Sequence, residues 1–299
     1  MTVQFVPSDF TIVERVPPGR PMLVPASPPP RGPIAMLHLM GALVLAQGRS
    51  GLQYRFATIA WFLIQGSAYA AEFAAVYLLV QRFEHVRSWV AAEVLVVYAL
   101  VVLAYGISGF FFQGTMVRLE TLVHQGQLDL YLIKPVNPLL HMVCRTFNAG
   151  YTTHVLLSTT ILIGALRALD VEWSATKTVY LLLAAASGAL VQCAVWLGTG
   201  SAAFWLTRVG NVQSLLLHQM RDLSFYPVSI YGRAVQTVLT VLLPWAFVGY
   251  YPAVYLLDRP ATPAEQLASL IAPAVGLVSF AVAYRVWKRG LNAYQGGGA

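Results

Sequence analysis

The run Val94-Leu-Val-Val-Tyr-Ala-Leu-Val-Val-Leu-Ala-Tyr-Gly-Ile-Ser-Gly-Phe-Phe-Phe-Gln-Gly-Thr-Met-Val117 carries no charged side chain. About 20 apolar residues in helical form cross the hydrocarbon core of a bilayer, so this stretch is long enough to span. Its apolar residues are continuous rather than alternating, which argues against a membrane β-strand. Five other stretches read the same way: 56–80, interrupted only by Glu72, then 146–166, 178–207, 234–257 and 266–284. A helix satisfies its own backbone polar groups, as lipid demands.

The rest of the composition agrees. The 299 residues are 58% hydrophobic and 10% charged, against roughly 25% charged in a soluble domain. The expected fold is therefore an all-α polytopic membrane protein with six transmembrane helices, within a domain covering 34–290. Residues 1–33 contain nine prolines and read as a disordered cytoplasmic tail. Residues 34–48 are apolar but too short to cross and read as an interfacial elbow helix. Residues 291–299 read as a flexible C-terminal tail. The net charge of +7 forms no dense basic run, so no nucleic-acid partner is expected. Cys144 and Cys193 read as buried thiols.

Counting Lys and Arg orients the chain. The tail, the 118–145 and 208–233 loops and the C-terminus hold fourteen, while the opposite loops hold five. The positive-inside rule then places both termini in the cytoplasm of a multi-pass plasma (inner) membrane protein.

Three segments carry chemistry. In the 118–145 loop, Leu128, Tyr131 and Leu132 fall at helical spacing, with Gly126 before them, Asp129 and Lys134 at the margin, and Pro135 as a stop. This predicts a stubby amphipathic helix that either transmits a push from a partner or lies on the lipid surface. In the fifth stretch, Pro244 and Pro252 flank Gly249, Tyr250 and Tyr251, predicting a broken or proline-kinked helix. Glu72 is the lone carboxylate inside a span and lies about 25 Å along its helix from Arg55 at 1.5 Å per residue. With Tyr105, Phe110 and Phe111 it is a candidate for the substrate path; His154 reads as a packing residue.

The string Gly126-Gln-Leu-Asp-Leu-Tyr-Leu-Ile-Lys-Pro-Val-Asn-Pro-Leu-Leu140 resembles the loop of ABC-2 type permeases, in the branch formerly catalogued as a domain of unknown function. Phe225-Tyr-Pro-Val-Ser-Ile-Tyr231, Leu243-Pro-Trp-Ala-Phe-Val-Gly-Tyr-Tyr-Pro-Ala253 and Leu52-Gln-Tyr-Arg55 are similar to that family as well. The resemblance implies an exporting permease in which the stretch from Pro244 to Pro252 is a re-entrant hairpin that gates the path outside; the apolar, aromatic-rich spans suit a hydrophobic or amphiphilic substrate. The 126–134 helix would couple the permease to a separate ABC ATPase, which holds the ATP and Mg; a second permease subunit, identical or not, would complete the pathway among membrane lipids. No cofactor and no metal are expected on this chain, which has no G-x-x-x-x-G-K-[ST] loop and no zinc-type Cys/His spacing. It is read as non-catalytic. The alternatives are an ion-coupled secondary transporter without an ATPase, or an ABC permease exporting lipid or glycan.

Overall fold

A computed structural model describes residues 55–82, 89–134 and 136–296, with Gly41 alone before them; within 55–82 some side chains are excluded. The proline-rich tail, the elbow helix, the Leu52-Gln53-Tyr54 segment, Pro135 and the last three residues lie outside the described residues.

The described chain is all-α. It comprises α1 (Arg55–Arg82), α2 (Ala91–Phe111), α3 (Gln113–His124), α4 (Asp129–Leu132), α5 (Pro138–Arg145), α6 (Thr152–Ala168) and α7 (Ala175–Ser201). A helical run over 210–225 follows: α8 (Gly210–Ser214), a π turn, α9 (Met220–Asp222) and a 3-10 turn. Then come α10 (Arg233–Thr237), a second π turn, a 3-10 turn Pro244–Phe247, α11 (Tyr250–Leu256) and the 31-residue α12 (Pro263–Ala293). Among the described residues, four helical segments are long and apolar enough to cross a membrane: Ala91–Phe111, Ala149–Ala168, Ala175–Phe204 and Pro263–Ala293. The bent pair Arg233–Leu242 and Pro244–Leu256 makes five if counted as one span. Six were expected.

α2 is the axis of the bundle. Val94, Val96, Val97, Tyr98, Ala99 and Val101 are fully buried, because α6, α7 and the 210–225 run surround it. Its uninterrupted apolar sequence therefore meets protein as much as lipid. Small residues let the neighbours close in. A Cβ on Gly106 would stand 2.9 Å from Val155, and one on Gly276 of α12 only 2.2 Å from the Ser187 carbonyl of α7. Ser187 Oγ donates to Ala272 O at 2.7 Å and accepts from Gly276 N at 2.9 Å, so α7 and α12 are keyed together at one level.

One expectation changes. Residues 208–233 were read as a loop, yet 210–225 is helical and follows α2 and α3. Glu120 Oε2 accepts from Val209 N and Gly210 N at 2.9 and 3.2 Å, Gln213 Nε2 donates to Met116 O, and Phe225 packs on Tyr98. The stretch 234–257, expected to be broken at its prolines, consists of two helical pieces bent by 71°.

Candidate functional site

The bundle holds a polar cluster at the level of the middle of α2. Helix α1 supplies Tyr69 and Glu72 at i, i+3; α2 supplies Tyr98 and Tyr105, seven residues apart; Tyr151 and His154 stand at the start of α6. The 210–225 run supplies Arg221, Asp222 and Phe225. Arg221 is buried, with its guanidinium 4.3 Å from the Tyr105 ring centroid and 5.2 Å from that of Phe225. Its Nη2 and Nε donate to Asp222 Oδ1 at 2.8 and 3.2 Å. A lone charge at this depth costs about 2.5–3.5 kcal/mol on insertion scales; pairing and π stacking offset part of it.

Glu72 lies in the field of Arg221 and accepts one long hydrogen bond, from Tyr98 Oη at 3.4 Å. The His154 ring is buried against Tyr69 at 4.3 Å, Tyr151 at 4.8 Å and Tyr105 at 5.7 Å. Its Nδ1 finds no hydrogen-bond partner among the described residues. The 210–225 run buries Gln213, Leu217 and Arg221, spaced by four, and exposes a mainly polar side of Asn211, Ser214, His218 and Gln219 with Val212 and Leu215 among them. The Asp222 side chain is 48% exposed at the end of that polar face. The π turn Leu215–Gln219 inserts extra backbone into the middle of the run, a distortion frequent at functional sites.

Of the candidate path residues, Glu72 and Tyr105 share this cluster. Phe110 and Phe111 do not. They sit at the opposite end of α2, where Phe110 stacks on Phe147 at 5.4 Å and Phe111 lies 5.6 Å from the same ring. Arg221 escaped the sequence reading because a charge between apolar stretches reads as a loop. Its partner is the adjacent residue, and nothing in an Arg-Asp dipeptide signals burial.

The loop after α3 forms a knob. Gly126 takes φ 67°, the left-handed region where glycine is favoured, and turns the chain so that Leu128 N bonds back to Leu122 O at 3.1 Å. Leu128 is buried, so the Leu128–Tyr131–Leu132 face was assigned outward at one position that points inward. Tyr131 is half-buried, 5.3 Å from His141 and under Arg145 at 6.0 Å. The exposed apolar tip is instead Leu130 at 62%, Ile133 at 78% and Leu132 at 38%. Lys134 is exposed beside it; Pro135 lies outside the described residues. Two contacts tie the knob to α12: Asn137 Nδ2 donates to Tyr284 Oη at 3.0 Å, and the Asp129 carboxylate lies against Gly296 and Tyr294. Burial first, and then Asp129, raises the Tyr294 hydroxyl above its ordinary value.

At the other end of the bundle, the break falls at Leu243–Pro244. Leu243 is extended, and Pro244 opens a 3-10 turn. Pro252, expected to kink the helix, occupies the first turn of α11, where a missing N–H breaks nothing. Gly249 is required by close approach, since a Cβ there would stand 2.9 Å from Val97 O. Tyr250 Oη donates to Glu265 Oε1 at 2.7 Å, and the Tyr251 hydroxyl faces that of Thr240 at 3.5 Å. Arg259 pairs with Glu93 and lies 4.1 Å over Trp89, while Lys177 pairs with Asp258.

Among the described residues, no group of His, Cys, Asp and Glu is arranged to hold a metal ion. Comparison with curated proteins and with solved structures finds no match. A family model described as an ABC-2 family transporter protein matches residues 67–298, a span that takes in the polar cluster, the knob and the bent helix pair. The chain belongs to the ABC-2 family of transporter proteins, the membrane permeases of ABC-type transport systems.

Proposed function

We propose that this chain is the permease subunit of an ATP-driven exporter, moving a hydrophobic or amphiphilic substrate out of the cytoplasm or inner leaflet. A separate ATPase would drive it through the knob at 126–134. The observation that carries this reading is the tip formed by Leu130, Leu132 and Ile133. Apolar side chains stand exposed on a short helix whose ends are fixed to α3 and α5, so a partner that grips the tip displaces both.

Further features support a six-span arrangement. The 210–225 run, rather than 234–257, supplies the fifth crossing in this reading, and the bent pair is a re-entrant hairpin that closes the path at its outer end. The hairpin's π turn lies near Leu216, Val195 and Thr199 at mid-height, while α11 returns to Trp89 and Tyr180. The polar face of the 210–225 run at membrane depth suits a second permease subunit and a pathway between the two. With that topology twelve Lys and Arg fall on the knob side and six on the other, leaving Arg221 within the bundle. The bias still puts the termini inside.

The test is co-purification with a candidate ABC ATPase and measurement of ATP-dependent efflux. Leu130→Asp with Ile133→Asp is expected to leave insertion intact and cut both ATPase stimulation and efflux at least tenfold. Efflux at the wild-type level in that variant would remove the coupling assignment.

A further inference from the structure

Between α3, the knob and α5 lies a partly enclosed cavity of about 550 Å³. Two arginines from different elements line it, Arg118 of α3 and Arg145 of α5, together with Thr115, Thr121, Thr146 and Gln127. None of the residues lining it is acidic, and neither arginine forms an ion pair among the described residues. The carboxylates on the flanking elements are occupied elsewhere: Glu120 caps Val209 and Gly210, and Asp129 faces Tyr294 and Gly296. Two guanidinium groups brought to one cavity repel each other unless an anion sits between them. Fork-shaped donors flanked by hydroxyls match the tetrahedral oxygens of a phosphate.

The local field has the same sign. Burial first, then Lys134 and Arg145, hold His141 below its ordinary value. Next to Thr146 the character changes: Phe147 stacks on Phe110, and exposed Phe111 and Val117 present apolar surface just beyond the arginines. The polar cavity therefore adjoins an aromatic, partly exposed wall at the end of α2, the order of chemistry found across a phospholipid from headgroup to acyl chain.

We propose that this cavity is a binding site for the phosphate headgroup of an anionic phospholipid, clamped by Arg118 and Arg145 with its acyl chains along Phe111 and Phe147. The site is distinct from the intramembrane cluster and does not depend on the transport reading. A bound anionic lipid would tie α3 to α5, the two elements that hold the knob.

The experiment is a thermal-unfolding titration of the full chain in nonionic detergent. Three probes are compared: phosphatidylglycerol, phosphatidylcholine and inorganic phosphate. Phosphatidylglycerol is expected to raise the midpoint saturably, and the other two are not. Arg118→Gln with Arg145→Gln should require at least tenfold more phosphatidylglycerol for the same shift. Thr121→Glu, which places a carboxylate on the wall from an exposed position, should do likewise, and decides the matter if the double variant does not fold. An equal response to phosphatidylcholine, or an unchanged response in the variants, overturns the proposal. An equal shift with inorganic phosphate, lost in the variants, would assign the site to a soluble anion and remove the lipid.

Discussion

Arg221 illustrates how a charge is held in an apolar bundle. Its fork satisfies two donors on Asp222 Oδ1 and lies over the rings of Tyr105 and Phe225. Asp222 is half-exposed, so removing Arg221 leaves a carboxylate that water still reaches, and the cost is mainly the lost pair and ring contacts. Arg221→Met is therefore expected to destabilise the chain by about 2 kcal/mol, with Arg221→Met/Asp222→Asn recovering part of it. Thermal unfolding of the purified variants checks this. Equal midpoints for wild type and Arg221→Met would mean that the pair contributes nothing. Arg221→Lys keeps the charge but loses the planar stack, and should fall between the two. None of this was legible in the sequence, where Arg221 counted as a loop cation. The helical spacing of Leu128, Tyr131 and Leu132 was legible. Which side of that helix faces the bundle was not, because spacing defines a face without saying what covers it.

At the scale of elements, α7 and α12 pack closest at one notch. Gly276 sits so close to the Ser187 backbone that a methyl group would overlap its carbonyl oxygen. Gly276→Ala must push the helices apart along their length, and a loss of more than about 2 kcal/mol is expected. Ser187→Gly should not rescue it, because the obstruction is backbone rather than side chain; rescue in a melting assay would show that the notch has been misassigned. The long helices were readable in advance, α2 from its neutral run and α12 from Gln266 to Tyr284. The 210–225 run was not. It is built from short α, π and 3-10 pieces, and its polar face breaks the apolar continuity that marks a span. Pro244 and Pro252 look equivalent in sequence, yet only the first marks the break, since the second falls where a helix begins.

For the whole molecule, orientation is the property most open to a direct check. Glu172→Cys, exposed between α6 and α7, is expected to react with an impermeant thiol reagent in intact cells. Gln125→Cys, exposed beside the knob, should react only after permeabilisation. The reverse pattern would invert the topology. On the proposed topology the positive bias survives, because Arg208 stays on the knob side while Arg233 moves to the other and Arg221 to neither. The charge count therefore points the same way on either set of span boundaries.

The clasp between the knob and the tail of α12 has a mechanical corollary. Asn137 holds Tyr284 and Asp129 abuts Tyr294 and Gly296, so a force applied at Ile133 reaches the last helix directly as well as through α3 and α5. Because α12 runs the length of the bundle and its first turn holds Tyr250 through Glu265, the proposed grip at the tip would make it a pushrod to the bent pair at the far rim.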